Sequence, residues 1–251
     1  MIDRQFFGGQ LIEIDEVDST NLHAQRMLKK QKVGEGTVIN AKHQTHGRGQ
    51  MGTKWYSGEG LNLTFSVILF PKFLTLEKQF YLSKVIAIGM VEAIEKLSIF
   101  NVKIKWPNDI YLGKDKVAGI LIENSVRGQE IEHSIVGVGI NINEQDFGIY
   151  GLGATSLSME AGELIETGHL LQSLLKSMQK WYLMLRAEKY FEIDDAYHHR
   201  LLNYNQWAYY EKDDQVIKAK LVGVKNYGNV VLENEIGDLS EYGLKELKFI
   251  I

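Results

Sequence analysis

The chain has 251 residues, 45% hydrophobic and 24% charged, enough to bury a substantial core in one large domain with room for a small appendage. Its 28 basic and 32 acidic side chains leave a formal net charge of -4, so there is no bulk attraction to DNA, RNA or anionic lipid. With no cysteine, a disulfide framework, a cysteine nucleophile, thiolate metal ligands and a thioester held on the protein are all excluded.

The first twenty residues mix acids with short apolar stretches and lack a basic start followed by a long apolar segment, so export is not expected. No apolar run approaches the roughly eighteen residues of a membrane span, and a cytoplasmic protein is expected. Residues 11–17 read as a first strand. Asp18, Ser19 and Thr20 then offer caps to a helix running to Lys30, with Leu22, Met27 and Leu28 as a partial apolar face. A strand over 37–41 leads into the loop GRGQMG, residues 47–52. The run LNLTFSVIL, residues 61–69, alternates apolar residues with Asn62, Thr64 and Ser66, a strand pattern that Pro71 ends.

Apolar residues at three- and four-residue spacing predict a long helix over 76–97, whose face should cover the sheet. Strands follow at 102–106, 109–112, 116–124 and 130–142, with turns at 113–115 and 127–129. Regular periodicity is lost over 144–153. A core helix is expected over 170–189, where Leu171, Leu174, Leu175, Met178, Trp181, Tyr182 and Leu185 form a broad stripe. Beyond Tyr204 short strands at 207–210, 216–222, 228–232 and 244–250 alternate with EKDD, KNYG and ENEIGD turns, so the chain divides into residues 1–204 and a small β unit, 205–251.

The glycine loop fits neither the dinucleotide fingerprint nor the Walker A spacing, and by itself reads equally as a surface turn over a buried tryptophan. Its flanks add hydrogen-bond donors, cations and aromatic surface: Gln44, Thr45 and His46 before it, Arg48 within it, Lys54 and Trp55 after it. The segment KWPNDIYLGKDKVAGI, residues 105–120, carries more. Asp109 stands either as a magnesium ligand bridging phosphates or as a cap on the Asn108 turn. Lys116 stands either as a cation stabilising negative charge or as a solvated hairpin lysine, and Gly119 either admits a ligand or relieves packing. Gly137, Gly139, Asn141 and Asn143 alternate along one strand and either line a nucleotide cleft or serve sheet packing. His43 and His46 lie near the loop, His198 and His199 read as a surface pair at a helix end, and no compact set of zinc ligands exists.

In order and spacing, DSTN (residues 18–21), QTHGRGQMGTKW (44–55), KWPNDIYLGKDKVAGILIE (105–123), GVGININ (137–143) and ATSL (154–157) resemble the biotin protein ligases. That resemblance implies an α/β (α+β) fold, a mixed, largely antiparallel sheet backed by helices like the catalytic domain of class II aminoacyl-tRNA synthetases, followed by a small SH3-like β barrel. It implies a biotin–[acetyl-CoA-carboxylase] ligase that joins biotin and Mg-ATP into biotinyl-5'-AMP and transfers biotin to one lysine of a biotin carboxyl carrier protein or carrier domain. By the same resemblance Ser19, Thr20 and Gln44, with Asn21 beside them, bind the ureido ring of biotin. Gly47, Arg48, Gly49 and Gln50 cover biotin and the adenylate, with Trp55 beneath or beside that loop. Lys116 and Arg48 act on the carboxylate and phosphate, Gly119 and Ile120 supply backbone contacts, Asn141 lies at the adenine and Asp109 near Mg2+.

Many members of that family read GRGRxGRxW. Here Gln50 and Thr53 replace two of the arginines, so a looser hold on the adenylate is expected. Bifunctional members add an N-terminal winged helix-turn-helix that the ten or so residues before Leu11 are too few to form, so direct nucleic-acid binding is not expected. Neither is a membrane partner, and the chain is expected to be a monomer or a homodimer. The alternatives are a lipoate or octanoate ligase or transferase on the same general fold, and a biotin-binding protein without turnover.

Overall fold

The computed structural model describes residues 6–99, 101–148, 151 and 153–251. Strand β1 (Leu11–Val17) leads into helix α1 (Thr20–Lys30) and then β2 (Val38–Gln44), which runs parallel to β1. The remaining pairings of the main sheet are antiparallel. Its strands are β3 (Leu63–Leu69), β4 (Val102–Lys105), β5 (Asp109–Leu112), β6 (Asp115–Arg127) and β7 (Glu130–Ile140), in the order β1-β2-β3-β7-β6-β5-β4.

Both faces of this sheet are covered, which explains why every residue of β3 is buried although its sequence alternates. Phe65 and Val67 point into the large core with Val136 and Val138. Ile68 and Ile135 point the other way, against Ala24 of α1. The polar residues Thr64 and Ser66 share the α1 face and are 1% and 0% exposed. The alternation therefore marks a buried polar surface where solvent would ordinarily be expected.

Helix α2 (Phe80–Glu95) is apolar around most of its circumference and is accordingly buried between the sheet and the helices beyond it. It is shorter than the expected 76–97, because Leu76–Lys78 form a 3-10 turn and Ser98 takes a positive φ just past the end. A short helix α3 (Leu157–Ala161), capped by Ser156 and closed by a left-handed Gly162, was not foreseen. Helix α4 (Thr167–Arg186) starts three residues before the expected residue 170, where the Glu166 carboxylate accepts the Gly168 and His169 amides. Helix α5 (Tyr190–Arg200) closes the layer. His198 near its end is not a surface group: its ring stacks on Tyr204 at 4.8 Å, and burial lowers its pKa. The irregular stretch expected over 144–153 lies partly outside the described residues.

The rest of the chain forms a five-stranded antiparallel sheet, as expected of an SH3-like barrel. Its strands are β8 (Trp207–Lys212), β9 (Gln215–Val224), β10 (Val230–Glu233), β11 (Leu239–Tyr242) and β12 (Lys248–Phe249). Asp213 and Asp214 both adopt positive φ in the tight β8–β9 connection, the twist a two-residue hairpin turn requires. Strand β11 was missed in the sequence, since LSEY is exposed along most of its length. Tyr210, Leu221, Val230 and Phe249 join the core of the larger unit. Two polar contacts reinforce that seam. The Trp106 indole donates to the Gly228 carbonyl at 2.8 Å, and the buried Lys84 ammonium meets Asp194 at 2.7 Å beside the Val224 carbonyl. Among the described residues no helix is long and apolar enough to cross a membrane.

Candidate active site

The α1 face of the sheet carries a cavity of about 320 Å3. Register brings its floor together: Gly139 lies opposite Gly119 and Thr64, and Gly137 opposite Leu121 and Ser66. Two glycines here leave room that any side chain would fill. A Cβ on Gly139 would overlap the Trp55 indole, and one on Gly137 would come within 2.5 Å of Asn21 Oδ1. Alternation of glycine along β7 thus seats one side chain from the loop and one from α1 directly on the sheet.

One end of the cavity is a hydrogen-bonded polar cluster. Thr20 N–H donates to Gln44 Oε1 at 2.8 Å, and the Thr20 and Gln44 side chains lie 3.2 Å apart. Ser66 Oγ sits 2.7 Å from Thr20 Oγ1 and 2.6 Å from Asn21 Oδ1, and Asn21 Nδ2 donates to Glu123 Oε2 at 2.8 Å. Ser19, Thr20 and Asn21 are all under 5% exposed, so these polar groups are positioned by the body of the protein. The start of α1 is pinned from outside by Asp18, which accepts the Ser19 amide at 2.8 Å and both Arg26 guanidinium nitrogens at 2.7 Å. The Arg26 fork holds the Asp18 carboxyl down at about 2.

The other end is charged. Lys116 Nζ lies 2.6 Å from Asp109 Oδ1 and 5.6 Å from the Trp55 ring. The backbone of Lys116 is held on both sides, its N–H by Gly153 O at 2.8 Å and its carbonyl by Thr155 N–H at 3.0 Å. Pro107 follows a cis peptide bond, and Asn108 is tied to Ile120 by two bonds, Nδ2 to O at 2.8 Å and O to N at 2.9 Å. Lys105 lies nearby, 3.4 Å from the Tyr111 hydroxyl. Burial pushes its ammonium below the usual lysine range, Asp109 pulls it up, and Lys116 adds to the fall. Burial first, then Asp109 and Asp115, push Tyr111 up to about 12.

Ser19, Thr20, Asn21, Gln44, Arg48, Gly49, Gln50, Trp55, Asp109, Lys116, Gly119 and Ile120 all line this one cavity. Gly47 lines the adjoining cleft with His43 and His46. Asn141 lines a neighbouring cavity of about 610 Å3 that shares Lys54, Trp55 and Lys116 with the first. Its side-chain amide donates to Thr155 O at 3.1 Å, so it also secures the ATSL segment. Arg48 sits away from the Lys116 end, with its guanidinium 3.2 Å from Glu123. Ser66 of β3 and Glu123 of β6 were missed, because only the pairing register brings each onto the face that carries Gly137 and Gly119. Asp109 Oδ1 is buried, and apart from the Lys116 charge it has no aligned hydrogen-bond donor. Such an oxygen suits a cation shared with phosphates, since magnesium uses one or two protein carboxylates and completes its shell with phosphate and water. Among the described residues no group of three or more His, Asp or Glu is placed to hold a metal by itself.

Fold and cavity define the class: an α/β protein with a slot that has a hydrogen-bonded polar cluster at one end and a lysine–carboxylate pair at the other, beside a second chamber that shares its lysines. Residues 13–141 match the biotin/lipoate A/B protein ligase family, and the chain belongs to it. It is 37% identical over 182 residues to the bifunctional ligase/repressor BirA of Bacillus subtilis, covering 71% of this chain and 55% of that protein. It is 31% identical over 186 residues to the biotin–[acetyl-CoA-carboxylase] ligase of Paracoccus denitrificans, covering 72% and 76%. The biotin protein ligase of Aquifex aeolicus, solved in complex with biotin and ATP, superposes with a TM-score of 0.80 at 30% identity, covering 96% of this chain and 99% of that one. The chain spans about half the length of the BirA protein it matches.

Proposed function

We propose that this protein is an ATP-dependent ligase that forms biotinyl-5'-AMP from biotin and ATP and transfers biotin to a lysine of a biotin carboxyl carrier domain, such as that of an acetyl-CoA carboxylase. The observation that carries this reading is the two-ended cavity: a buried hydroxyl–amide cluster at Thr20, Gln44 and Asn21 faces a lysine–carboxylate pair across apolar and glycine surface. Biotin has a matching polarity, with a ureido head, an apolar body and a carboxylate tail. The family relationship supports the same reading, as do the biotin- and ATP-bound relative of nearly identical length and the Paracoccus ligase.

Adenylation joins two anions, and their repulsion must be offset before a biotin carboxylate oxygen can bond to the α-phosphorus of ATP. Lys116, held by backbone bonds on both sides, takes the charge that develops as the bond to the bridging oxygen breaks and pyrophosphate leaves with the electron pair. Mg2+ at Asp109, when bound, supplies further neutralisation of the triphosphate. Thr20, Gln44 and Asn21 orient the ureido head, so that the tail arrives at Lys116 in a fixed pose. Trp55 and residues 47–52 exclude water from the mixed anhydride. In transfer, the neutral amine of the carrier lysine attacks the acyl carbon, a C–N bond forms, a proton leaves the amine, and AMP departs. No covalent link to the ligase is needed. In this reading residues 1–204 form the catalytic unit, residues 205–251 a small unit that braces it, and the reaction takes place in the cytoplasm.

The test is ATP-dependent transfer of biotin to a purified carrier domain, with pyrophosphate release followed in parallel and lipoate as the control acid. Transfer with biotin alone supports the reading. Transfer with lipoate alone, or no pyrophosphate with either acid, overturns it.

A further inference from the structure

The geometry points to Glu123 as the positioning residue that holds the Arg48 loop shut over the cavity and fixes the polar head end with the same carboxylate; this rests on the ligase reading above. Glu123 lies on β6 opposite Ile135, on the site face, four residues beyond Gly119. Its two oxygens serve two different elements. Oε2 accepts Asn21 Nδ2 of α1 at 2.8 Å, and Oε1 meets Arg48 Nη1 of the glycine loop at 3.2 Å.

Proton accounting gives the network a direction. An ionised carboxylate only accepts, so Asn21 presents its NH2 to Glu123 and its carbonyl oxygen to Ser66. Ser66 has one proton, which goes to Asn21 Oδ1 at 2.6 Å, so it accepts from Thr20 at 2.7 Å. A continuous line then runs Thr20 → Ser66 → Asn21 → Glu123 ← Arg48, from the floor of the head end to the lid. Ser66 is fully buried, which makes the inner part of this line rigid.

The loop itself is a small self-contained hairpin. Gly49 N–H bonds to Thr53 O at 2.8 Å and Trp55 N–H to Gly47 O at 3.0 Å. Among the described residues Arg48–Glu123 is the one ion pair that joins residues 47–55 to the rest of the protein. Gln50 and Thr53 bring no second guanidinium. That ion pair is therefore the one charged tether beside the Trp55 packing, and it is anchored on the carboxylate that also holds Asn21 at the head end.

The experiment compares the full chain with Glu123→Gln, Arg48→Gln and the double variant, using two readouts. Glutamine at 123 keeps the volume and still accepts from Asn21, but loses the charge that faces Arg48. Arg48→Gln breaks the same tether from an exposed loop position, so folding is not at stake. The first readout is the rate of trypsin cleavage after Lys54, which reports loop opening without reference to catalysis. Each single variant should be cut about fivefold faster, as expected for loss of a half-exposed ion pair, and the double variant no faster than either. The second readout is the fraction of biotinyl-adenylate found free in solution, relative to that transferred to the carrier, which should rise about fivefold by the same argument.

Unchanged cleavage in Glu123→Gln, or effects that multiply in the double variant, would overturn the tether whatever the ligation assay shows. If the unsubstituted protein makes no adenylate, the ligase reading fails, and the cleavage readout still decides whether Glu123 holds the loop.

Discussion

At the scale of single residues, the site depends on atoms that are absent as much as on those present. Gly139 admits the Trp55 indole to the surface of β7, so Gly139→Ala would push the ring off its seat. We expect biotin affinity to fall about tenfold, since overpacking of this kind costs about 1–3 kcal/mol, with calorimetric titration as the check. Lys116 acts differently. It is one-third exposed and its backbone bonds do not depend on its side chain, so Lys116→Ala should leave the melting temperature within a few degrees. Pyrophosphate release should fall about a hundredfold to a thousandfold, the loss typical of removing one preorganised charge from a reacting centre. A large fall in melting temperature with little loss of rate would assign Lys116 to the fold instead. The residue types at Lys116, Asp109 and Gly139 were legible in the sequence. Glu123 and Ser66 were not, because nothing in a lone glutamate or serine says which of two strand faces it occupies until register is known.

At the scale of elements, the beginning of α1 carries the head end of the cavity, and Asp18 carries the beginning of α1. Its carboxyl is lowered from 3.8 to about 2, chiefly by Arg26, so its contribution to stability is complete above about 4 and is lost as pH falls toward 2. Asp18→Asn should flatten that part of the acid-unfolding curve and leave the curve above pH 5 parallel to the original; circular dichroism at 222 nm would follow it. Strands were read closely from the sequence, and β1 and β5 have the expected limits. Helix limits were read less well, because the ends of α2 and α4 are set by a 3-10 turn and by the Glu166 cap, whereas the apolar stripe reports only which residues are buried.

For the whole molecule, the small β unit is wedged against the strand that leads into Asp109. Trp106 donates to Gly228 O and lies 6.3 Å from Phe249, three residues before Asp109. Below that contact Lys84, fully buried, pairs with Asp194, which also accepts the Tyr81 hydroxyl at 2.7 Å. Lys84→Met removes one partner and leaves a partly buried carboxylate uncompensated, which should cost about 3 kcal/mol of stability. Differential scanning calorimetry would show it as a lower melting temperature. An unchanged melting temperature would mean that water screens Asp194 well enough to replace the lysine.

Periodicity, turn chemistry and five spaced motifs were enough to set out the strands of the main sheet, a run of short strands beyond Tyr204 and the two cationic segments, because those signals are local and each is carried by a few neighbouring residues. Only the tertiary structure decided which face of each strand met which partner. Side-chain direction alternates with every residue, so the meeting of Thr20, Ser66, Asn21, Glu123 and Arg48 depends on the register of three strands and the placement of α1 and the loop. The buried polar stripe on β3 is the clearest instance: the same alternation that in the sequence would mark a solvent face became a buried, hydrogen-bonded support for the start of α1 once that helix covered it.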